Sequence, residues 1–217
     1  MFSGYALGNP TEVLCGVCRR LAPPFVQAAS YGSYEGGLRD LIHLLKYQQV
    51  RPAADVLGRM LGEVISGLDP VLPEHLLVVP VPLHDRKLRQ RGFNQSELIA
   101  RAALKSCGDK QRFELQPQIL ARRRETASQI GLSSHQRRVN MRGAFTVTRP
   151  ESIAERDILL VDDVLTTGTT ASECARTLRK AGASRVWVAT VARTMKLEVA
   201  RVVVPEEQEA MAATAGS

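Results

Sequence analysis

Three runs in this chain are apolar at almost every position: 75–82 (HLLVVPVP), 157–161 (DILLV) and 185–192 (RVWVATVA). A strand with one wet face alternates apolar and polar residues, so a run without alternation has both faces buried. Strands of this kind belong to parallel sheets covered by helices on both sides. The intervening segments supply the helices. Leu38, Leu41, Ile42, Leu44 and Leu45 recur at helical spacing, and a second helix is predicted from Ala53 to Ile65, ended by Gly67, Pro70 and Pro73. NQSELIARAALKS reads as a helix capped by Asn94 or Ser96. A last helix presents Ala171, Cys174, Ala175, Leu178 and Ala181 on one face and stops at Gly182. QIL and GAFTV are candidate short strands on either side of a basic segment, 122–142. The predicted fold is therefore α/β, a parallel sheet with helices on both faces. In such sheets ligands bind beyond the carboxyl ends of the strands, which directs attention to the loops after Pro82 and Asp163.

Composition narrows the class. With 217 residues, 44% of them apolar, the chain can bury a core, so wholesale disorder is excluded. No apolar run approaches the roughly 20 residues that span a bilayer, and the N-terminus does not read as a signal peptide. The four cysteines, Cys15, Cys18, Cys107 and Cys174, are mostly scattered, which predicts a reduced, cytoplasmic protein. Cys107 and Cys174 read as small core residues on helices. The net charge of +7 is concentrated in HDRKLRQRGF and in ARRRETASQIGLSSHQRRVNMR. It is compatible with a small polyanion or nucleic acid, or with a solvated face. Aromatic residues make up 5% and are not interleaved with these runs, which disfavours a single-strand stacking platform.

The strongest chemical signal follows the second run. ILLVDDVLTTGTT ends a strand in Asp162 and Asp163, then turns through Thr166, Thr167, Gly168, Thr169 and Thr170 into a helix. Two carboxylates at one strand end need hydroxyls or a cation to engage them. A Thr/Gly turn at a helix N-terminus offers N–H groups and hydroxyls to a phosphate dianion. Together they suit a ligand with both a diol and a phosphate, such as ribose 5-phosphate. A second cluster lies in VVPVPLHDRKLRQRGFNQSELIA, read as a strand end followed by a polar loop with Arg86, Lys87, Arg89 and Arg91.

The segment 159–170 resembles the phosphoribosyl pyrophosphate (PRPP) motif of type I phosphoribosyltransferases. The resemblance implies that Asp162 and Asp163 contact the ribose hydroxyls, directly or through Mg²⁺-bound water, and that Thr166 to Thr170 hold the 5-phosphate. It also implies pyrophosphate binding by Val81, Pro82, Leu83, Arg86, Lys87 and Arg91. Hypoxanthine–guanine enzymes of this fold place a carboxylate where this chain has Thr166, which argues against that branch and leaves orotate-like, adenine-like and other acceptors open.

LLKYQ, VPVPLHDRKLRQRGFNQSELIA, ETASQIGLSSHQRRVNMRGAF and LLVDDVLTTGTT together resemble the ComF-type phosphoribosyltransferase-like proteins, over about Tyr31 to Arg193. The implied organisation is an N-terminal appendage (1–30, a remnant zinc knuckle), a phosphoribosyltransferase-like domain (31–200) and a flexible tail (201–217). The implied lid carries Thr126, Gln129, Arg137, Arg138 and Asn140. Family members commonly begin with two CxxC pairs; here CGVC alone is present, and two thiolates do not fill a four-ligand zinc site. A residual zinc site at Cys15 and Cys18 stays open; a decayed site, ligands from a second chain, or a start downstream of the true one would each account for this, and the last is favoured. The implied activity is transfer of a phosphoribosyl group to a nitrogen acceptor, with PRPP sensing or an accessory role in DNA uptake as alternatives. A homodimer is expected by analogy with type I relatives.

Overall fold

The structure, a computed structural model, describes residues 23–107, 111–124 and 134–194. In chain order its elements are β1 (Ala28–Ser33), α1 (Gly36–Tyr47), α2 (Ala53–Leu68), β2 (Leu76–Pro80), α3 (Asp85–Arg91), α4 (Gln95–Ser106), β3 (Phe113–Leu115), β4 (Leu120–Arg122), α5 (Ser134–Met141), β5 (Phe145–Val147), β6 (Ile158–Leu165), α6 (Thr169–Lys180) and β7 (Val186–Arg193). Five strands form a sheet in the order β1-β7-β6-β2-β3, with every pairing parallel. β4 and β5 form a separate antiparallel ribbon.

The apolar runs fill both faces of this sheet. Leu76, Val78, Leu159, Val161, Trp187 and Ala189 pack with Ile42, Leu57, Leu61, Ile65, Ile99 and Ala103 from α1, α2 and α4. The alternate residues, Leu77, Val79, Ile158, Leu160, Val186 and Val188, pack with Ala171, Cys174, Ala175 and Leu178 of α6 and with Leu120 and Phe145 of the ribbon. Period-two alternation thus survives, but it sorts residues between two cores rather than between core and solvent. Cys174 lies in the second core, and Cys107 is partly buried against the first.

Four features depart from the sequence reading. The predicted polar loop after Pro82 contains a helix, α3. His84 Nδ1 accepts the Arg86 N–H, Asp85 occupies the first turn and Arg89 and Arg91 the last, and Gly92 ends the helix at φ +78°. It has no apolar stripe, so periodicity does not show it. The sheet begins at Ala28, inside the stretch assigned to the appendage, and Ser30 and Thr190 hydroxyls lie 2.6 Å apart across β1 and β7. β3 adds an edge strand beside β2, and α5 forms inside the basic segment 122–142.

The topology also fixes where a ligand can sit. From β2 the chain runs through α3 and α4 to β3 on one side, whereas from β6 it runs through α6 to β7 on the other. β2 and β6 are neighbours, so the connections that leave their carboxyl ends run to opposite sides and leave a crevice beyond the strand ends.

Candidate functional site

The loop after β2 and the turn after β6 both open onto this crevice. The ladder between the two strands continues one residue past β2, where Val81 donates its N–H to the Val161 carbonyl at 2.8 Å. Pro82 has no N–H, so the backbone donors this loop can offer a ligand begin at Leu83. Asn94 braces the loop from behind: its Nδ2 donates to the Val81 carbonyl (3.1 Å), while its Oδ1 accepts from the Ser96 N–H (3.1 Å) and caps α4. Of the two predicted caps, Asn94 is the one used.

β6 carries Asp162 and Asp163 to the edge of the crevice. Strand alternation turns them apart, and they meet different partners. Asp163 is buried and its Oδ2 lies 2.5 Å from Nζ of Lys46, in the last turn of α1. Asp162 Oδ1 accepts from the Ser96 hydroxyl (3.0 Å) and from the Asp163 N–H (2.9 Å). Burial and then the neighbouring Asp163 charge push Asp162 up to about 7, against the pull of Lys46 and these hydrogen bonds. Lys46 is raised: burial alone would lower it, and the attraction of the carboxylates overrides that.

Two further cations face this pair. Arg91, at the end of α3, is half-buried; desolvation lowers its pKa while Asp163 opposes the shift. Its guanidinium donates to Gln95 Oε1 and lies 5.9 Å from the centre of the Tyr47 ring. Arg122, at the end of β4, is drawn beside the β2 loop by a parallel bridge with His84, and stacks 5.6 Å over Phe145. Burial lowers Arg122 as well, against the pull of Asp162.

The phosphate turn follows β6. Gly168 sits at φ +71°, a left-handed conformation that favours glycine, and precedes the first residue of α6. Gly168 has no side chain with which to cap α6 and no acidic residue occupies the helix's first turn, so among the described residues its leading N–H groups face the turn without a local carboxylate competing for them. The Thr167 and Thr169 hydroxyls lie 2.9 Å apart there.

The structure thus brings together Asp162, Asp163, the 166–170 turn, the 81–83 loop and Arg91. Arg86 and Lys87 stand exposed on α3. Thr126, Gln129, Cys15 and Cys18 lie outside the described residues. Arg137 and Arg138 are on α5, and the Asn140 and Arg142 carbonyls accept from Arg124 Nη2 at 2.7 and 2.9 Å, stitching the base of the basic segment to the β4–β5 ribbon. Lys46, Ser96 and Arg122 were not identified from sequence as site residues. The LLKYQ motif marked the neighbourhood of Lys46 without giving it a role.

A phosphoribosyl transferase domain model matches residues 112–208, which include β6, the acidic pair and the phosphate turn. Crevice, acidic pair and match together define a protein with a type I phosphoribosyltransferase domain. The DNA utilization protein YhgH of Salmonella typhi is 33% identical over 198 residues, covering 88% of this chain and 82% of that protein. Competence protein F of Haemophilus influenzae is 32% identical over 184 residues, 82% of this chain and 78% of that one. The chain belongs to the ComF family. Among solved structures, the glutamine PRPP amidotransferase from B. subtilis aligns over 64% of this chain and 26% of its own, at 23% identity and a TM-score of 0.41. A Staphylococcus aureus hypoxanthine phosphoribosyltransferase aligns over 66% and 64%, at 14% identity and the same TM-score of 0.41. Among the described residues no helix is long and apolar enough to cross a membrane.

Proposed function

We propose that this protein binds PRPP with Mg²⁺ in the β2/β6 crevice and transfers the 5-phosphoribosyl group to a nitrogen acceptor in the cytoplasm, releasing pyrophosphate. The observation that carries the reading is the convergence of an acidic pair, an uncapped helix N-terminus and inward-facing cations on one crevice. Each part matches one part of the ligand. Thr166, Thr167, Gly168, Thr169 and Thr170 would hold the 5-phosphate with N–H groups and hydroxyls. Asp162 and Asp163 would accept from the ribose hydroxyls. Leu83 N–H and Arg91 would meet the pyrophosphate, with Arg122 beside them.

The residues fit a hard divalent cation. Carboxylate oxygens are the donors it prefers, and the Lys46 ammonium already stands where the pair draws positive charge. Mg²⁺, when bound through Asp162 and Asp163, would neutralise the charge that develops on the departing pyrophosphate. The chain's own contribution is alignment: with sugar and phosphate fixed, the acceptor nitrogen forms its bond to the anomeric carbon as the bond to the pyrophosphate oxygen breaks. α5, with Arg137, Arg138 and Asn140, lies on the return limb of the ribbon that carries Arg122, so this limb would flank the bound ligand.

Calorimetric titration of PRPP, with and without Mg²⁺, tests the reading. Mg²⁺-dependent binding, lost in the Asp162→Asn/Asp163→Asn double variant, is the expected result. A folded wild-type protein that binds no PRPP would overturn it. Binding without transfer across a broad panel of bases and amines would favour a sensor instead. The names of the relatives, DNA utilization protein and competence protein, favour a second reading in which the PRPP site serves a DNA-linked role. Single-strand binding with a steep salt dependence would support it.

A further inference from the structure

Lys46 occupies an unusual place for a lysine. Its side chain is 17% exposed, its ammonium lies 2.5 Å from Asp163 Oδ2, and the Asp163 side chain is 6% exposed. The helix that delivers it is fixed. Ile42 and Leu45 of α1 are fully buried in the core, and the Gln48 N–H closes the last turn on the Leu44 carbonyl. The four-carbon stem beyond that anchor is flexible, so the ammonium can leave Asp163 without any movement of α1. Near it stands Tyr34, whose hydroxyl hydrogen-bonds His43 Nε2 at 3.1 Å.

A divalent ion on Asp163 would take the carboxylate oxygen at about 2.0–2.1 Å. The ammonium on Oδ2 already neutralises much of the carboxylate charge, so a divalent ion on either oxygen meets a weakened donor and a like charge at close range. Lys46 and a metal ion are therefore alternatives. If the metal arrives alone, the displaced ammonium is left mostly out of water with no new counter-ion, which is unfavourable. If the metal arrives with a polyanion, the ammonium gains a phosphate partner within reach of its stem, and the exchange balances.

We infer that Lys46 is a tethered counter-cation that closes the acidic pair to free divalent ions and yields to a divalent ion that arrives with its anionic ligand. The inference rests on the reading of the crevice as a PRPP site and adds an order to its filling: metal and anion together, not metal first. Such an order keeps the site from being held by metal alone in a medium rich in Mg²⁺.

The test is Mn²⁺ binding to the protein without PRPP, followed by electron paramagnetic resonance of the free ion, for wild type, Lys46→Gln and Lys46→Arg. Far-UV circular dichroism confirms that each is folded. Lys46→Gln is expected to bind Mn²⁺ at least tenfold more tightly than wild type, and Lys46→Arg, which keeps the charge, to stay near wild type. Adding Asp163→Asn to Lys46→Gln should remove the gain. The inference is overturned if folded Lys46→Gln binds Mn²⁺ no more tightly than wild type, or if the gain survives Asp163→Asn. Failure of the PRPP reading shows elsewhere, as absence of Mg²⁺-dependent PRPP binding by wild type, and leaves the Mn²⁺ comparison legible.

Discussion

Asp162 and Asp163 are adjacent and chemically identical, yet the structure predicts that the same substitution moves stability in opposite directions. Asp162 is raised from an ordinary 3.8 to about 7, chiefly by burial and then by Asp163. The sign follows from linkage. Below about pH 4 the group is neutral in both folded and unfolded chains and costs nothing. Between about 4 and 7 the unfolded chain releases a proton that the folded one retains, so stability falls as pH rises. Above about 7 the full penalty applies. A shift of that size corresponds to at most about 4 kcal/mol. Because Asp162 keeps some solvent contact and its Oδ1 accepts two hydrogen bonds, about 1–2 kcal/mol is the working expectation. Asn at 162 carries no charge, and its Oδ1 can accept the same bonds from Ser96 and the Asp163 N–H. Asp162→Asn should therefore raise Tm at pH 8 by roughly 3–6 °C for a chain of this size, and by clearly less at pH 5.

Asp163→Asn removes the direct partner of a Lys46 that is mostly out of water. Breaking such a pair from one side leaves an uncompensated charge, and with Asp162 still nearby a loss of about 1–3 kcal/mol is expected. Thermal melts by circular dichroism at pH 5 and pH 8, without divalent ions, decide the matter. The reasoning is refuted if Asp162→Asn lowers Tm at pH 8, or if the two variants shift Tm in the same direction.

Two other predictions follow from packing and from the orientation of α3. Arg91 faces the acidic pair whereas Arg86 is exposed, so Arg91→Gln should weaken PRPP binding by about 10–100-fold in calorimetry, the loss of a charge-assisted contact, and Arg86→Gln by much less. A Cβ at Gly58 would lie 2.3 Å from the Ala102 Cβ and 2.9 Å from backbone atoms of α4, so Gly58→Ala should cost about 1–3 kcal/mol in urea unfolding despite its higher helix propensity. An unchanged midpoint would mean that α2 and α4 approach less closely than described.

What the sequence revealed, and what it hid, divides along the range of the interactions involved. The central strands were legible because burial on both faces leaves an unbroken apolar run, and the acidic pair because it ends such a run next to a Thr/Gly turn. β1 was not legible. Its residues, AASYGS, are small or polar and only half-buried, because an edge strand pairs on one side. α3 escaped for a related reason: a seven-residue helix with no buried residue has no periodic stripe to read. The missed site residues are the long-range ones. Ser96 and Asp162 are 66 positions apart, and Arg122 reaches the crevice through a bridge to His84 rather than through a strand of the main sheet. No local pattern encodes such meetings; the topology makes them where the connections after β2 and β6 part.

That topology also explains why positive charge is concentrated here. An acidic pair at the end of a buried strand destabilises the empty fold, so the fold needs cations nearby whatever the ligand. Lys46, Arg91 and Arg122 meet that need from three separate elements, α1, α3 and β4. The same three groups present positive charge to whatever enters the crevice. Folding and anion binding therefore draw on one set of side chains. The consequence is that loss of ligand binding in a cation variant is interpretable only beside its stability: a variant that loses PRPP affinity at unchanged Tm has lost a ligand contact, whereas one that loses both has first lost the counter-charge that lets β6 end in two carboxylates.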